Sequence, residues 1–374
     1  MSEMFVVCPG KIELLLMQEL KELGIEKVRR GPRGVFVPKN MDLVYRINYL
    51  SRLATRVLWP LATFPCPNRD VLYREARKVP WIAFMDSNKT FAIDANVSFH
   101  PNLKNSLFAA LVVKDAICDV LREKIGSRPS IDTAKPDIQL NLFIDEGQAT
   151  LSFDTSGPPL YKRGWRQMAG MAPLQESLAA AILRIANVTS SDILCDPFCG
   201  SGTFLIEAAM CNSHTPAGFF RQFWGFMHHP AYRTSEWLKV KEMADKQKIK
   251  LETGKITGID KDANILQTLK SHLKTTAFEE AIATKSQDIE NYHPPQPPTI
   301  VVCNPPYGKR LQTSSELYRS IGTFLTSRCS KTVKAFILTE NSRLIQATAL
   351  PFKEKIQLKN GGLDVFLYEL QLQN

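Results

Sequence analysis

The chain has 374 residues, 44% of them hydrophobic and 22% charged, which excludes a disordered polyelectrolyte and leaves room for two or three domains with cores of their own. Nowhere does an uncharged apolar stretch reach membrane-spanning length, and no basic region precedes an apolar run at the N-terminus, so a cytoplasmic protein without a membrane partner is expected. The net charge of +10, with a pI near 9.1, suits a polyanionic partner, yet residues 1–160 carry only +3 of it, so specific binding there must depend on local patches.

In chain order, residues 5–8 read as a strand, 12–23 as a helix ended by Gly24, and 34–38 as a second strand, with Arg29, Arg30 and Arg33 crowding the turn before it. Residues 42–56 resume helical spacing and carry Arg46, Arg52 and Arg56, which either face phosphate or form a solvated helix face. Phe64-Pro65-Cys66-Pro67-Asn68 reads as a linker. Beyond it, a strand at 91–97, a long helix at 106–125 and paired strands at 138–144 and 149–153 around Asp145-Glu146-Gly147 make an α+β module. Ser156-Gly157-Pro158-Pro159 marks the next boundary, which gives regions 1–65, 66–157 and 158–374. The cluster Lys162-Arg163-Gly164-Trp165-Arg166 sets three cations beside an aromatic, a composition that suits phosphate contact with base stacking or, equally, a patch at a domain interface.

Residues 192–196 read as a strand entering Pro197-Phe198-Cys199-Gly200-Ser201-Gly202-Thr203, and 204–210 as the helix that follows, the usual beginning of a doubly wound sheet. The turn is neither Gly-x-Gly-x-x-Gly nor followed by a Lys, so it favours a ligand with an amino-acid end and a nucleoside end over a diphosphate. Asp196, ahead of the turn, suits an ammonium group. Between 210 and 254 the chain runs long, and Phe219, Phe220, Phe223, Trp224, Phe226 and Trp237 either cover a site or pack as a satellite core. Residues 239–250 read as a charged helix, with His228 and His229 ahead of it at the surface. A strand at 256–260 ends on Asp260, where a carboxylate accepts hydrogen bonds from ribose hydroxyls, and Asp288 is similarly placed to take an adenine amino group.

The apolar, β-branched run at 299–303 reads as a buried central strand that ends in Asn304-Pro305-Pro306-Tyr307. An exocyclic amine on a base is a poor nucleophile because its lone pair is delocalised into the ring. Two acceptors aimed at its two hydrogens draw that pair out, and the Asn304 carboxamide oxygen and the Pro305 carbonyl supply two. Successive prolines stiffen the loop, and Tyr307 offers a face for an extruded base. Cys195, Cys199 and Cys303 fall in or beside this region and read as small apolar fillers. With no Cys-x-x-Cys pair among the eight cysteines, neither a metal nor a disulfide framework is expected.

The order Asp-Pro-Phe-Cys-Gly-Ser-Gly, Gly-Ile-Asp, Gln-Asp, Asn-Pro-Pro-Tyr resembles the class I S-adenosylmethionine-dependent methyltransferases that act on exocyclic amines. Adding Tyr161-Lys162-Arg163-Gly164-Trp165-Arg166, Ala172-Pro173-Leu174-Gln175-Glu176, the aromatic stretch at 216–237 and Lys359-Asn360-Gly361-Gly362, the whole chain resembles the bacterial 23S rRNA guanine-N2 methyltransferase family. The resemblance implies an α/β fold, with a Rossmann-like class I methyltransferase domain on a mostly parallel seven-stranded sheet, preceded by ferredoxin-like and THUMP α+β modules. It implies S-adenosylmethionine as cofactor, held by Asp196, Phe198, Gly200, Gly202, Thr203, Asp260, Asp288 and Asn304, and a target guanine held by Asn304, Pro305, Pro306 and Tyr307. The implied partner is structured RNA, 23S rRNA or a large-subunit assembly precursor, with Lys162, Arg163, Trp165 and Arg166 as the RNA-contacting cluster. The best-known members carry a second fused methyltransferase domain, whereas this sequence stops at Asn374, so one modification is expected. A tRNA guanine-N2 methyltransferase shares the signature, as does, more remotely, an adenine-N6 methyltransferase.

Overall fold

The structure, a computed structural model, describes residues 2–103, 105–166, 174–306, 315–360 and 362–372. The chain divides into two compact units, the first made of Met1–Cys8, Leu16–Leu160 and Gln222–Glu242. In chain order β1 (Glu3–Val7), α1 (Glu13–Glu22), β2 (Arg29–Gly31), β3 (Gly34–Pro38), α2 (Met41–Leu50) and β4 (Arg56–Pro65) follow the βαββαβ succession of a ferredoxin-like module. Then come α3 (Arg69–Arg77), β5 (Thr90–Ser98), α4 (Ser106–Ile125), β6 (Ser130–Ile131), β7 (Ile138–Asp145) and β8 (Gln148–Asp154). A single sheet, ordered β2-β3-β1-β4-β8-β7-β5-β6, carries both modules. Strand β4 makes this possible: its first residues pair with β1, and it runs antiparallel to the whole of β8.

That strand was hidden in the sequence, where residues 42–56 read as one helix and 64–68 as a linker. The helix stops at Leu50 because the buried Glu19 carboxylate gathers the Ser51 hydroxyl at 2.5 Å and the N–H groups of Arg52 and Leu53 at 2.8 and 3.3 Å, diverting the chain into β4. Arg56 therefore lies on a strand, with its guanidinium paired to the buried Asp154. Residues 64–65 end β4, and Asn68 caps α3 by accepting from the Val71 N–H at 3.0 Å. Helix α3 escapes a periodicity reading because only Leu72 and Ala76 of its residues are buried. Arg29 and Arg30 lie on β2 rather than in a turn.

After residue 160 the chain forms α5 (Glu176–Ile185), β9 (Leu194–Asp196), α6 (Thr203–Asn212), α7 (Thr234–Asp245), β10 (Ile256–Asp260), α8 (Ala263–Thr276), β11 (Ile282–Ser286), β12 (Ile300–Cys303), α9 (Ser315–Arg328), β13 (Lys334–Thr339), α10 (Ser342–Gln346), β14 (Phe352–Asn360) and β15 (Leu363–Gln371). The second unit, Pro9–Leu15, Tyr161–Arg221 and Met243–Asn374, holds a sheet ordered β11-β10-β9-β12-β13-β15-β14 among the described residues. Strands β9 to β13 pair in parallel, while β15 is antiparallel to both β13 and β14, so the expected mostly parallel seven-stranded sheet is present. Strand β14 gave no clear sequence signal because it is the outer strand and leaves Phe352, Lys353, Glu354 and Lys355 exposed, without core-facing alternation. Strand order reverses at β9, with β10 and β11 on one side and β12 and β13 on the other. Ligands of open α/β sheets bind at such a switch point.

Half of the six insertion aromatics pack as a core, whereas Phe223 is exposed and Phe219 and Phe220 are half-buried. Trp224, Phe226 and Trp237 are all buried in the first unit against Tyr45 and Tyr49 of α2. Phe226 and Trp237 lie 5.1 Å apart, Tyr45 and Phe226 5.1 Å, and Tyr49 and Trp237 5.2 Å, mostly edge to face. His229 is buried rather than superficial, ringed by Trp59, Phe84 and Phe153. Its Nδ1 accepts from the Ala231 N–H at 3.1 Å, and burial pulls its pKa down to about 4. Trp237→Ala should therefore lower the unfolding free energy by about 3–5 kcal/mol in a denaturant titration, the cost of truncating a large buried aromatic. A change below about 0.5 kcal/mol, typical of surface positions, would mean that the insertion is not packed in this way.

Candidate active site

Strand β9 is only three residues long and wholly buried, and it pairs with β10 through Ile256, Thr257 and Gly258 and with β12 through Ile300 and Val301. The carboxyl ends of three neighbouring parallel strands consequently deliver Asp196, Asp260 and Asn304 to one edge of the sheet. Each residue is polar where its strand is apolar, as expected where a buried ladder reaches the ligand-binding edge.

The turn after β9 is shaped by its neighbours. Gly202 has φ +87°, and a Cβ there would fall 2.2 Å from Leu269 Cδ1 of α8. Gly258 allows β10 to pass close beneath, since a Cβ would meet Leu205 Cδ1 at 2.3 Å and Cys199 Cβ at 2.9 Å. Gly200, at φ +50°, has nothing within 4 Å of where a Cβ would stand, so the turn is open on that face. Asp260 holds the turn from β10, its Oδ2 accepting from the Gly200 N–H at 3.0 Å while Oδ1 accepts from the Asp262 N–H at 2.9 Å. Asp288 accepts from the Glu290 N–H at 3.1 Å and caps a short 3-10 turn after β11. Phe198 is half-buried and packs against the core cluster that contains Cys195, Ile259 and Cys303.

Asp196 is buried, and its one hydrogen bond among the described residues is Phe198 N–H to Oδ1 at 3.0 Å. Burial, aided by the Asp260 charge, raises its pKa to about 8 despite that bond. No cation pairs with this carboxyl among the described residues. Asn304 Oδ1 is also buried and accepts no hydrogen bond among the described residues. Pro305 is buried and Pro306 half-buried, while Tyr307 lies outside the described residues. Burial, and next the Asp196 carboxylate, push the Cys195, Cys199 and Cys303 thiols well above the ordinary range, so these residues are neutral fillers and not nucleophiles. Among the described residues no His/Cys/Asp/Glu group could hold a metal, and no helix is long and apolar enough to cross a membrane.

The cluster expected to meet RNA is largely turned inward. Arg163, with a side chain 1% exposed, forms a buried pair with Glu207 of α6, Nε to Oε1 at 3.0 Å. Trp165 is fully buried and meets His272 of α8 edge to face at 5.1 Å. Arg166 stacks over the Trp165 ring at 4.6 Å and donates to Glu176, Ser201 and Thr203. Arg163 and Trp165 are thus core residues, the buried guanidinium matched to a buried carboxylate and the indole packed against a ring. Lys162 alone of the four is exposed. The Thr203 hydroxyl is buried and accepts from Arg166. Sequence reasoning missed Glu207, although a lone acid in the apolar helix sequence Phe204–Met210 signals an internal cation partner. It missed the role of His272 because nothing in α8 sets that residue apart.

A glycine turn at a parallel-sheet switch point, acids closing the neighbouring strands and an amide oxygen with no partner among the described residues accompany a fold of the class I methyltransferase kind. The chain belongs to the RMKL-like methyltransferase family, whose methyltransferase-domain profile matches residues 163–369. A THUMP domain profile matches residues 67–154 and an RlmL ferredoxin-like domain profile residues 3–58. The chain is 34% identical over 371 residues to slr0064 of Synechocystis sp., covering 98% of this chain and 96% of that protein. It is 35% identical over 384 residues to ribosomal RNA large subunit methyltransferase K/L of Syntrophotalea carbinolica, covering 98% of this chain but 53% of the relative, so it spans about half the length of such K/L proteins. The crystal structure of SMU.472 complexed with SAH is similar at 26% identity with a TM-score of 0.87, over 100% of this chain and 98% of that one.

Glu207→Ala should cost about 3–5 kcal/mol of folding stability, since it removes the carboxylate from a buried ion pair with Arg163. Thermal or urea unfolding of the variant measures this, and unchanged stability would return Arg163 to the surface.

Proposed function

We propose that the chain is an S-adenosylmethionine-dependent RNA methyltransferase that methylates the exocyclic N2 amine of a guanine in 23S rRNA. The observation that carries this reading is the buried Asn304 Oδ1, which accepts no hydrogen bond among the described residues and stands at the carboxyl end of β12, next in the sheet to the strand that ends on Asp196. Support for RNA, and for ribosomal RNA in particular, comes from the THUMP domain match and the names of the K/L relatives.

The residues present fit the cofactor. Among the described residues Asp196 is a buried carboxyl without a cation, which suits an amino-acid ammonium, and the turn is open at Gly200, while Asp260 and Asp288 stand at or just beyond the next two strand ends. Phe198, Gly200, Gly202, Thr203 and Asn304 complete the assigned set. Bound there, S-adenosylmethionine supplies an electrophilic methyl on a sulfonium. The chain's own residues prepare the other partner. Asn304 Oδ1 and the Pro305 carbonyl accept the two hydrogens of the amine and draw its lone pair out of the ring. The two prolines hold those acceptors without loop rearrangement, and Tyr307 provides the stacking face. No strong base is required, because the amine becomes acidic once methylated and loses its proton to solvent.

Two measurements follow from these assignments. Radiolabelled methyl transfer to 23S rRNA, tRNA and DNA from cells lacking the protein, followed by nucleoside mass analysis, should give N2-methylguanosine in 23S rRNA alone. Asn304→Ala should reduce kcat about 10²–10³-fold, as loss of an aligned polar group does, with cofactor affinity changed far less. Label confined to tRNA would overturn the ribosomal assignment. The second measurement concerns protons. Asp196 is mostly protonated below about pH 8, and pairing with an ammonium favours its charged form, so binding must release a proton. Calorimetry at pH 7 in buffers of different ionisation enthalpy should show about one proton released per S-adenosylhomocysteine bound, none for Asp196→Asn, and tighter wild-type binding as pH rises from 6 to 8. Buffer-independent heats would remove Asp196 from the ammonium site.

A further inference from the structure

The arginine that the sequence offers to RNA is built into the wall of the glycine turn. Arg166 Nε donates to Glu176 Oε1 at 3.0 Å, Nη1 to Ser201 Oγ at 2.9 Å and Nη2 to Thr203 Oγ1 at 3.1 Å. One guanidinium therefore ties the first turn of α5 to the middle of the glycine turn and to the first residue of α6. His272 of α8 also holds Ser201, its Nδ1–H donating to the Ser201 carbonyl at 3.1 Å. Trp165 contacts both holders, with Arg166 stacked over its ring and His272 against its edge.

Such external ties are needed because the turn does little to fix itself. Gly200 and Gly202 both have positive φ, conformations that glycine enters freely and leaves as freely. The helix that follows has no side-chain cap at Gly202, where Ser, Thr, Asp or Asn would ordinarily accept the first N–H groups. Three of the five N–H donors of Arg166 are engaged in this way, and its side chain is only 16% exposed, so little of it is left to meet a phosphate.

We propose that Arg166 is a positioning residue that fixes the Gly200-Ser201-Gly202 turn and thereby sets the affinity for the methyl donor, rather than a contact to RNA. The inference rests on the reading that this turn holds S-adenosylmethionine. A planar fork that serves three acceptors at once has no substitute in lysine, whose ammonium is a point charge on a flexible stem. Arg166→Lys therefore preserves the ion pair with Glu176 while losing the geometry.

The test is calorimetric titration of the full chain and its Arg166→Lys, Arg166→Gln and Ser201→Ala variants with S-adenosylhomocysteine, beside filter binding to a 23S rRNA transcript. Both Arg166 variants should raise the Kd for S-adenosylhomocysteine about tenfold, roughly what the loss of one or two hydrogen bonds produces. Ser201→Ala should give a smaller rise, the KM for S-adenosylmethionine should climb more than kcat falls, and retention of the transcript should not change. Unaltered S-adenosylhomocysteine affinity in a folded Arg166 variant would overturn the proposal, as would loss of transcript binding with cofactor affinity intact. Should the Arg166 variants not fold, Ser201→Ala and Thr203→Val decide, since unchanged affinity in both is equally fatal. Failure of the wild-type chain to bind S-adenosylhomocysteine would instead sink the functional reading beneath it.

Discussion

The pairing of β9 with β10 on one side and β12 on the other is the constraint on which the site depends. A parallel ladder fixes register by backbone hydrogen bonds, and a strand with every residue buried cannot slip without exposing its apolar set. Register then decides function. It brings the ends of strands far apart in the sequence to one edge, so that the glycine turn and Asn304 follow neighbouring strands. The glycines are consequences of the same closeness, because Gly258 and Gly202 stand where β10 and α8 leave no room for a Cβ.

Charge is distributed around that edge in an uneven but purposeful way. Two arginines from the segment ahead of α5 are matched to internal carboxylates, Arg163 to Glu207 and Arg166 to Glu176, and these pairs satisfy the wall behind the turn. Asp196, in contrast, meets no cation among the described residues, and burial raises its pKa to about 8. A buried carboxyl with no matching charge among the described residues is what the proposed ammonium site requires. The same logic explains why the basic composition of the chain says little about where RNA would sit, since two of the three cations of its most suggestive cluster are committed to internal carboxylates.

Much of the catalytic unit was readable because its motifs sit at strand ends, where apolar runs give way abruptly to Asp196, Asp260 and Asn304. Helix α4, flanked by Asn105 and Gly126, was also legible to the residue, its cap accepting from the Phe108 N–H at 3.1 Å and its end turning at φ +74°. What failed was whatever depended on a distant partner. Glu19 ends α2 from another helix, so no local signal marks the stop. Arg163 and Trp165 looked like a nucleic-acid surface because composition records residue types and not the Glu207 carboxylate or the His272 ring that claim them. The insertion aromatics needed Tyr45 and Tyr49 to be understood as packing.

The most direct test of the account is a crystal structure of the chain with S-adenosylhomocysteine. The ligand should lie at the carboxyl edge of β9 and β10, with its ammonium on Asp196, its ribose on Asp260 and its sulfur facing the Asn304 side. A ligand bound elsewhere, or at this edge with Asp196 and Asn304 untouched, would contradict it.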